Sequence, residues 1–438
     1  MARVTALGDL LSTVLERGAR LVDMKGAPDH SALVSLCEKV MTARGEAAGV
    51  VLAAEVLAQY RELSAEGRLA FFQHMAAGYN PDPAEVLSAA EAYAGDQSPP
   101  TLAALFDTVE PPRQELLRRL NMAPGGTECL VKMRADLLEL LREHPELRSI
   151  DTDFRHLLGS WFNRGFLVLR RIDWSTPASL LEKIIAYEAV HQIDSWDDLR
   201  RRVEPEDRRC FAFFHPSMPD EPLIFVEVAL TKEVPGSIQA LLAEDRAVLP
   251  AGQAKTAAFY SISNCQPGLA GVSFGAFLIK QVARDLTEEL PGVETFVTLS
   301  PVPGLMRWVS AEAEATPEGD AAGVLLRVVL PDWHEDVGLA EDVRPLLMRL
   351  AGRYFLQAKR SDGQPPDPVA RFHLGNGAEL EAMHWMGDTS ANGLAQSAGL
   401  MVNYRYRLDR IEENHEAYVA SREVKASKAL RSLLKGAQ

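Results

Sequence analysis

One segment, from Ala257 to Gly304, constrains the fold more than any other part of this 438-residue chain. It opens with an apolar run typical of a buried strand, Ala257–Ile262, followed by a glycine-rich turn. An amphipathic run over Val272–Leu290 then predicts a helix, and Thr295–Leu299 predicts a second strand. A glycine turn that opens a helix leaves backbone N–H groups unpaired at the positive end of the helix dipole. The segment therefore predicts an α/β unit with an affinity for phosphate.

Residues 1–165 carry the periodicity of helices and no strand pattern. Apolar side chains recur at helical spacing, as in Leu33, Leu36 and Val40, and prolines mark helix starts, as in Asp82-Pro83. These apolar stripes accompany no cluster of reactive side chains. We therefore expect an all-helical domain over residues 1–165 that mediates self-association into a dimer or tetramer.

Residues 166–438 differ, because short β-rich runs alternate with helical patterns. The predicted strands are Cys210–Phe214, Leu223–Leu230, Ala257–Ile262, Thr295–Leu299 and Ala398–Tyr406. The predicted helices are Pro177–Tyr187, Ile238–Glu244, Val272–Leu290, Val343–Gln357 and Arg410–Lys435. The run Leu325–Leu330 fits either a strand or a helix.

Composition excludes several classes of function. A formal net charge of −15 argues against nonspecific nucleic-acid binding, which needs a basic surface. Cys37, Cys129, Cys210 and Cys265 lack the paired spacing of a metal site, so we expect buried thiols in a reducing compartment. The sequence contains no secretory core and no apolar run of about 18 residues, the length that a membrane span requires. These features predict a cytoplasmic protein with no membrane partner.

Several runs between Ser160 and Tyr406 resemble the malonyl-CoA decarboxylase family. They are Glu188-Ala-Val-His191, Phe214-His-Pro216 with Glu221-Pro-Leu223, Phe259-Tyr-Ser-Ile-Ser263, Gln266 through Gly275, Leu299-Ser-Pro-Val-Pro-Gly304, Phe372 through Ala378, and Asn403-Tyr-Arg-Tyr406. The glycine turn alone would be weak, because many phosphate-binding folds carry one. Together the runs make a chance match improbable.

The resemblance implies an α+β protein, with an N-terminal helical bundle followed by a GNAT-like catalytic domain of the acetyltransferase type over residues 166–438. In that fold a central strand leads into a turn whose amides hold the pyrophosphate of CoA. The implied substrate is malonyl-CoA, converted to acetyl-CoA and carbon dioxide, with no cofactor because CoA is part of the substrate. The implied CoA-binding residues are Ala270, Gly271, Val272, Ser273, Phe274, Gly275 and Ala276. Lys280 and Arg284 face either phosphate or solvent, and a solvated helix face is the commoner case.

Two residues align with the catalytic pair of the family, Ser300 and His373. Ser300 ends a predicted buried strand, where a hydroxyl can hold the substrate carboxylate or relay a proton; a turn serine bonded to its own backbone is the structural alternative. His373 suits proton transfer to the enolate, since imidazole titrates near neutrality. Tyr406 supports the pair or serves as a core tyrosine, and Asn376 orients the ring or only forms a turn.

One departure from the family concerns Ser273, because animal members tend to carry glutamate at this position. We therefore assign Ser273 no acid–base role and expect only its backbone amide to bind phosphate. His191 and His215 lie in family-like runs that could be packing motifs. His334, His384 and His415 carry no motif and are expected to be structural or surface residues.

Two other functions stay open at this stage. An acyltransferase of the same fold would need a cleft for a second substrate and a base for its amine. A non-catalytic acyl-CoA sensor would use the helical half as an interaction surface. Carbon dioxide release from malonyl-CoA without any acceptor would single out the decarboxylase.

Overall fold

A computed structural model describes residues 30–272, 277–330 and 332–434, which fall into two compact units. The first unit holds the described residues up to Val168, together with Phe214–Glu221 and residues 266–272. The second holds Leu169–Phe213, Pro222–Cys265 and the described residues from 277 onwards.

The first unit is helical, as the sequence predicts. Its helices are α1 (His30–Thr42), α2 (Glu46–Glu62), α3 (Ala65–Gly78), α4 (Pro83–Gly95), α5 (Pro99–Val109), α6 (Pro112–Asn121), α7 (Gly126–Leu140) and α8 (Arg148–Trp161). The helix starts follow local chemistry. Ser64 accepts a hydrogen bond from the Gly67 amide to cap α3, and Asp82 accepts one from Ala84 ahead of the proline that opens α4.

Two of these helices differ from the rest of the unit. Helices α4 and α5 pack against each other as a hairpin, and neither contains a buried residue. Large apolar side chains are exposed along this hairpin, with Leu87 at 61% and Phe106 at 65% of full exposure. An amphipathic helix normally buries its apolar stripe against a neighbour, so this stripe lacks a partner within the described chain.

The described residues also form an eight-stranded sheet that belongs almost entirely to the second unit. Its strands are β1 (Val168–Ile172), β2 (Arg208–Phe214), β3 (Ile224–Thr231), β4 (Thr256–Asn264), β5 (Thr295–Thr298), β6 (Ser300–Pro301), β7 (Glu379–His384) and β8 (Met401–Arg405). The order across the sheet is β1-β2-β3-β4-β5-β8-β6, with β7 also paired to β8. Only β4 and β5 pair in parallel among the registers that the structure defines.

Helices flank this sheet. They are α9 (Ala178–Tyr187), α10 (Trp196–Val203), α11 (Ile238–Leu242), α12 (Phe277–Glu289), α13 (Leu305–Ala315), α14 (Asp320–Val328), α15 (Val337–Leu356), α16 (Pro368–Gly375), α17 (Ala391–Ser397), α18 (Ile411–Ser421) and α19 (Lys428–Ser432). The helical part followed by a mixed sheet confirms the predicted α+β class. A central strand, β4, precedes the glycine-rich turn and α12, which is the order of elements expected from the sequence.

Most predicted elements occur within a few residues of their expected bounds, but one prediction is wrong. A single helix over Arg410–Lys435 does not form. Arg422 ends α18 in the left-handed conformation, with φ 55°. The chain after it pairs with β7, where the Leu380 amide donates to the Lys425 carbonyl over 2.8 Å, and Ser427 then caps α19.

Two further outcomes concern local pattern. The ambiguous run Leu325–Leu330 is helical up to Val328, in α14. Strand β7 was not predicted, because its sequence Glu-Leu-Glu-Ala-Met-His lacks the β-branched and aromatic residues that favour strands. The four cysteines are buried free thiols, as expected.

Candidate active site

A wedge-shaped opening in the sheet creates a cavity beside strand β4. Strands β4 and β5 pair from Thr256↔Thr295 to Phe259↔Thr298, and after Leu299 the chain pairs Ser300 and Pro301 with β8 instead. Within the described ranges, residues 261–264 therefore pair with β3 alone, and Tyr260 is the extra residue at a shift in the β3–β4 register. This separation leaves backbone groups of a strand facing a cavity rather than a neighbouring strand.

We call this space the wedge cavity; its volume is about 240 Å³. It is lined by Val190, Phe259, Tyr260, Ile262, Asn264, Ser300, Pro301, Pro368, Val369, Phe372 and His373. Most of these side chains are apolar, and none of the described lining residues is a lysine or arginine. The cavity therefore offers an apolar site with a few polar groups, which is typical of a small-molecule site.

Ser300 is fixed at the edge of the wedge cavity by its strand and by Thr298. Strand β6 pairs Ser300 with Val402 of β8, and the Ser300 hydroxyl donates to Thr298 Oγ1 over 2.8 Å. Thr298 is fully buried and accepts a hydrogen bond from the Tyr404 amide over 3.1 Å. The Ser300 hydroxyl thus has a fixed partner behind it, unlike a turn serine bonded to its own backbone.

His373 lies near the end of α16, and its ring reaches Ser300. Its Nε2 is 3.3 Å from Ser300 Oγ, and its Nδ1 is 2.7 Å from the Tyr406 hydroxyl. The Tyr404 ring stacks on the imidazole with ring centroids 4.6 Å apart. These contacts hold the ring from two edges and one face.

Burial determines the protonation state of this histidine. It lowers the pKa of His373 to about 3, because the charged imidazolium is poorly solvated there. Burial also raises the pKa of Tyr406 well above its ordinary value, so the phenol keeps its proton. A buried phenol donates its hydrogen, and His373 Nδ1 is its acceptor. The single ring proton then resides on Nε2 and points at Ser300.

The structure thus brings together three of the four residues singled out for the reaction: Ser300, His373 and Tyr406. Asn376 is placed elsewhere. Its side-chain amide donates to the Phe372 carbonyl over 2.7 Å, and its backbone N–H caps the end of α16. Of the two roles considered from the sequence, forming the turn is the one that matches these contacts.

The predicted phosphate turn is described only in part. Ser273, Phe274, Gly275 and Ala276 lie outside the described residues, whereas Ala270, Gly271 and Val272 belong to the first unit. Gly271 has a left-handed backbone, with φ 72°, which glycine adopts without strain. A β-carbon at this position would lie 3.7 Å from the Arg155 guanidinium. A positive charge therefore lies beside the described end of the turn, supplied by a residue that sequence spacing did not indicate.

A second glycine of this segment serves packing. A β-carbon on Gly268 would overlap the Val131 carbonyl oxygen, and the Gly268 carbonyl accepts a hydrogen bond from Arg134 over 2.6 Å. The absence of a side chain at Gly268 therefore lets the backbone pack closely against α7.

Lys280, which the sequence placed near either phosphate or solvent, forms an ion pair with Glu412.

Several groups that hold the lining of the wedge cavity in place were not predicted from the sequence. Thr298 and Tyr404 were not singled out, although Thr298 adjoins one of the runs that carry the resemblance and Tyr404 lies within another. Glu188 was quoted only as part of a run, yet its carboxylate accepts the backbone amides of Val190 and His191, each over 2.7 Å. That carboxylate also accepts the hydroxyl of Ser261 on β4 over 2.7 Å. The signal for Glu188 and Tyr404 was their membership of the family-like runs, and Thr298 carried no such signal.

The other histidines occupy structural positions. His215 Nε2 lies 3.1 Å from the Trp161 carbonyl, and its ring packs on Phe162. His384 bonds to the Asn403 side chain, and His415 bonds to the Gly375 carbonyl over 2.7 Å.

Among the described residues, no group of three or more His, Cys, Asp and Glu side chains is placed to hold a metal ion. No described helix is long and apolar enough to cross a membrane.

Comparisons with known proteins agree along most of the chain. The family model described as the malonyl-CoA decarboxylase C-terminal domain matches residues 165–438, and that of the N-terminal domain matches residues 79–162. The crystal structure of malonyl-CoA decarboxylase from Rhodopseudomonas palustris shares 52% identity, with a TM-score of 0.88, covering 92% of this chain and 99% of that one. The enzyme from Agrobacterium vitis shares 50% identity, with the same TM-score and coverage. The mitochondrial malonyl-CoA decarboxylase of Anser anser anser is 38% identical over 352 residues, which are 74% of this chain and 69% of that protein.

Proposed function

The chain belongs to the malonyl-CoA decarboxylase family, and we propose that it converts malonyl-CoA to acetyl-CoA and carbon dioxide in the wedge cavity, with Ser300, His373 and Tyr406 delivering the proton. The observation that carries this assignment is the buried hydrogen-bonded series from Tyr406 through His373 to Ser300, ending at an apolar cavity.

The first chemical requirement is to destabilise the carboxylate of the bound substrate relative to the transition state. The bond between the carboxylate carbon and C2 breaks, and its electron pair moves into the thioester as an enolate while neutral carbon dioxide leaves. A cation beside the carboxylate would stabilise the charge in the ground state. The described lining of the wedge cavity supplies no such cation. The carboxylate of the bound substrate is therefore poorly stabilised there. The transition state, whose negative charge is dispersed, is affected less.

The second requirement is to stabilise the enolate oxygen. Beyond Phe259, the edge of β4 that faces away from β3 has no strand partner among the described residues. Backbone N–H groups on such an edge are fixed donors in a site with little water. We assign this free edge of β4 the role of holding the thioester oxygen as negative charge develops on it.

The third requirement is one proton for C2. His373 is neutral near pH 7, since burial lowers its pKa to about 3. With Tyr406 donating to Nδ1, the Nε2–H passes its proton to C2, directly or through the Ser300 hydroxyl, and solvent returns a proton after the product leaves. Malonyl-CoA and one proton thus yield acetyl-CoA and carbon dioxide, with no separate cofactor in the balance.

Incubating the full chain with malonyl-CoA as the sole substrate tests this proposal. We expect acetyl-CoA and carbon dioxide in equal amounts. A product that forms only when an amine acceptor is added would indicate an acyltransferase instead. Tight binding without turnover would indicate a sensor, and either result would overturn the proposal.

Two further features extend the proposal. We assign self-association, as a dimer or tetramer, to the exposed apolar stripe of the α4–α5 hairpin, because a second copy of the chain offers the same apolar surface. The assignment of CoA phosphates to Ala270–Ala276 stays a prediction. So does the cytoplasmic location, since curated relatives from animals are mitochondrial by name.

A further inference from the structure

A second cavity of about 190 Å³ adjoins the wedge cavity. Its lining includes Asp388, Asn392, Gln396 and Leu400. Only Val190 and Pro301 line both cavities. These two residues therefore form the lining that the two spaces share, which we call the wall, and we call the second space the side chamber.

Val190 is the part of this wall that substitution can shorten. The ring of Pro301 is bonded to its own backbone, and its strand position is fixed by pairing with Met401 of β8. The Val190 side chain instead projects from the turn that joins α9 to α10, so its size is set by the residue type alone. Replacing Val190 by alanine would remove its two methyl groups and shorten this part of the wall.

The position of Val190 is held firmly. Its amide donates to Glu188 Oε1 over 2.7 Å, and the His191 amide donates to the same oxygen over 2.7 Å. Ser261 anchors this carboxylate to β4 through its hydroxyl. Hydrogen bonds to an ionised carboxylate are stronger than neutral ones. The turn therefore holds the valine at a defined distance from the strand that borders the wedge cavity.

We propose that Val190 sets the size limit for substituents on C2 of the substrate, an inference that rests on the proposed decarboxylation of malonyl-CoA. Malonyl-CoA carries two hydrogens on C2. An alkyl branch there needs extra room beside the Ser300–His373 pair. The side chamber offers that room only when the wall is shortened, so Val190 restricts the native site to unbranched substrate.

The test compares kcat/KM for malonyl-CoA, methylmalonyl-CoA and ethylmalonyl-CoA. In Val190→Ala we expect the ratio of branched to unbranched kcat/KM to rise at least about tenfold, since one methylene in a tight apolar site is worth about 10- to 200-fold. Val190→Ile, which thickens the wall, should lower the same ratio.

The matched control is Val369→Ala. It makes the same change in the lining of the wedge cavity, but Val369 does not line the side chamber. Its ratio should change less than about threefold, well below the range expected for the wall residue. Equal shifts in the two alanine variants, or none in either Val190 variant, would overturn the inference. Wild-type protein that releases no carbon dioxide from malonyl-CoA would instead refute the proposed function itself.

Discussion

The wedge cavity and the α4–α5 hairpin differ in how far their side chains are buried. Around the wedge cavity, Ser300, His373 and Tyr406 are each at most 5% exposed, and each has a hydrogen-bond partner. On the hairpin, Leu87 and Phe106 are more than half exposed. In the first region, the side chains of Ser300, His373 and Tyr406 satisfy one another within one chain. In the second, an apolar stripe stays uncovered by the described residues, as on surfaces that bind a partner.

The largest effect should come from removing the Ser300 hydroxyl. Ser300→Ala takes away the group between the imidazole and Thr298, and we expect kcat to fall about 10²- to 10⁴-fold. Ser310→Ala is the control, because that hydroxyl bonds only to the backbone of its own helix. Residues that act as a unit lose function non-additively. The double variant with His373→Asn should therefore be little slower than the poorer single variant, and fully additive losses would argue against a unit.

The hairpin is tested by Phe106→Glu, which places a charge on its most exposed aromatic side chain. If self-association uses this surface, the dissociation constant of the assembly should rise roughly 100-fold, the scale of losing a central interface anchor. Light scattering across a concentration series measures it. Glu91→Gln is the control, since it alters a charge on the same hairpin without touching the apolar stripe. A monomeric wild type, or a Phe106→Glu assembly as tight as the wild type, would refute the assignment.

Tyr406→Phe tests the role of a single hydrogen bond, because it removes only the hydroxyl that donates to His373 Nδ1. The ring of His373 should stay in place while its tautomer is no longer fixed. We therefore expect kcat to fall about tenfold, which corresponds to the free energy of about one buried hydrogen bond. CoA affinity should be unchanged. Tyr418→Phe serves as the control, because the Tyr418 hydroxyl makes no hydrogen bond to described residues. Equal activity in both variants would remove Tyr406 from the proton-delivery series.

The smallest effect on turnover is expected at Glu227, a buried carboxyl of the second unit outside the cavity. Burial, reinforced by the Glu188 carboxylate, raises the pKa of Glu227 to about 8, although Arg202 opposes the shift. Between about pH 4.5 and 8 the unfolded chain has released this proton while the folded chain retains it. The free energy of unfolding should therefore fall as pH rises through this window, by up to about 1.4 kcal/mol per pH unit.

Glu227→Gln should flatten that decline without changing turnover by more than about twofold, the range typical of a change that leaves transition-state contacts intact. Urea unfolding at pH 5, 6, 7 and 8 measures the slope. Parallel slopes in the wild type and the variant would show that another group titrates.

The sequence predicted the fold class well because its strongest elements have clear periodicity. Strands such as β3 and β4 are buried apolar runs, and proline and serine mark the helix starts. It failed where tertiary contacts override the local pattern. The segment after Arg422 pairs with β7 instead of extending a helix, and β7 itself has no strand-like composition.

The candidate site was predictable in part. Ser300, His373 and Tyr406 followed from the family-like runs, although Tyr406 lies 106 positions after Ser300 and no local pattern shows that they meet. Thr298 could not be assigned, because its role arises from a contact with the Tyr404 amide across two strands. The wall at Val190 could not be anticipated either, since a cavity boundary depends on how the turn after α9 packs against β4.

The most direct test of the central claim, that His373 supplies the proton from a buried neutral ring, is carbon dioxide release by His373→Asn at saturating malonyl-CoA. We expect turnover lowered about 10²- to 10⁴-fold, with CoA affinity and the unfolding transition close to wild type. His74→Asn, on α3 of the first unit, should retain wild-type turnover as the matched control. A folded His373→Asn variant that releases carbon dioxide at a near-wild-type rate would show that the proton comes from another group.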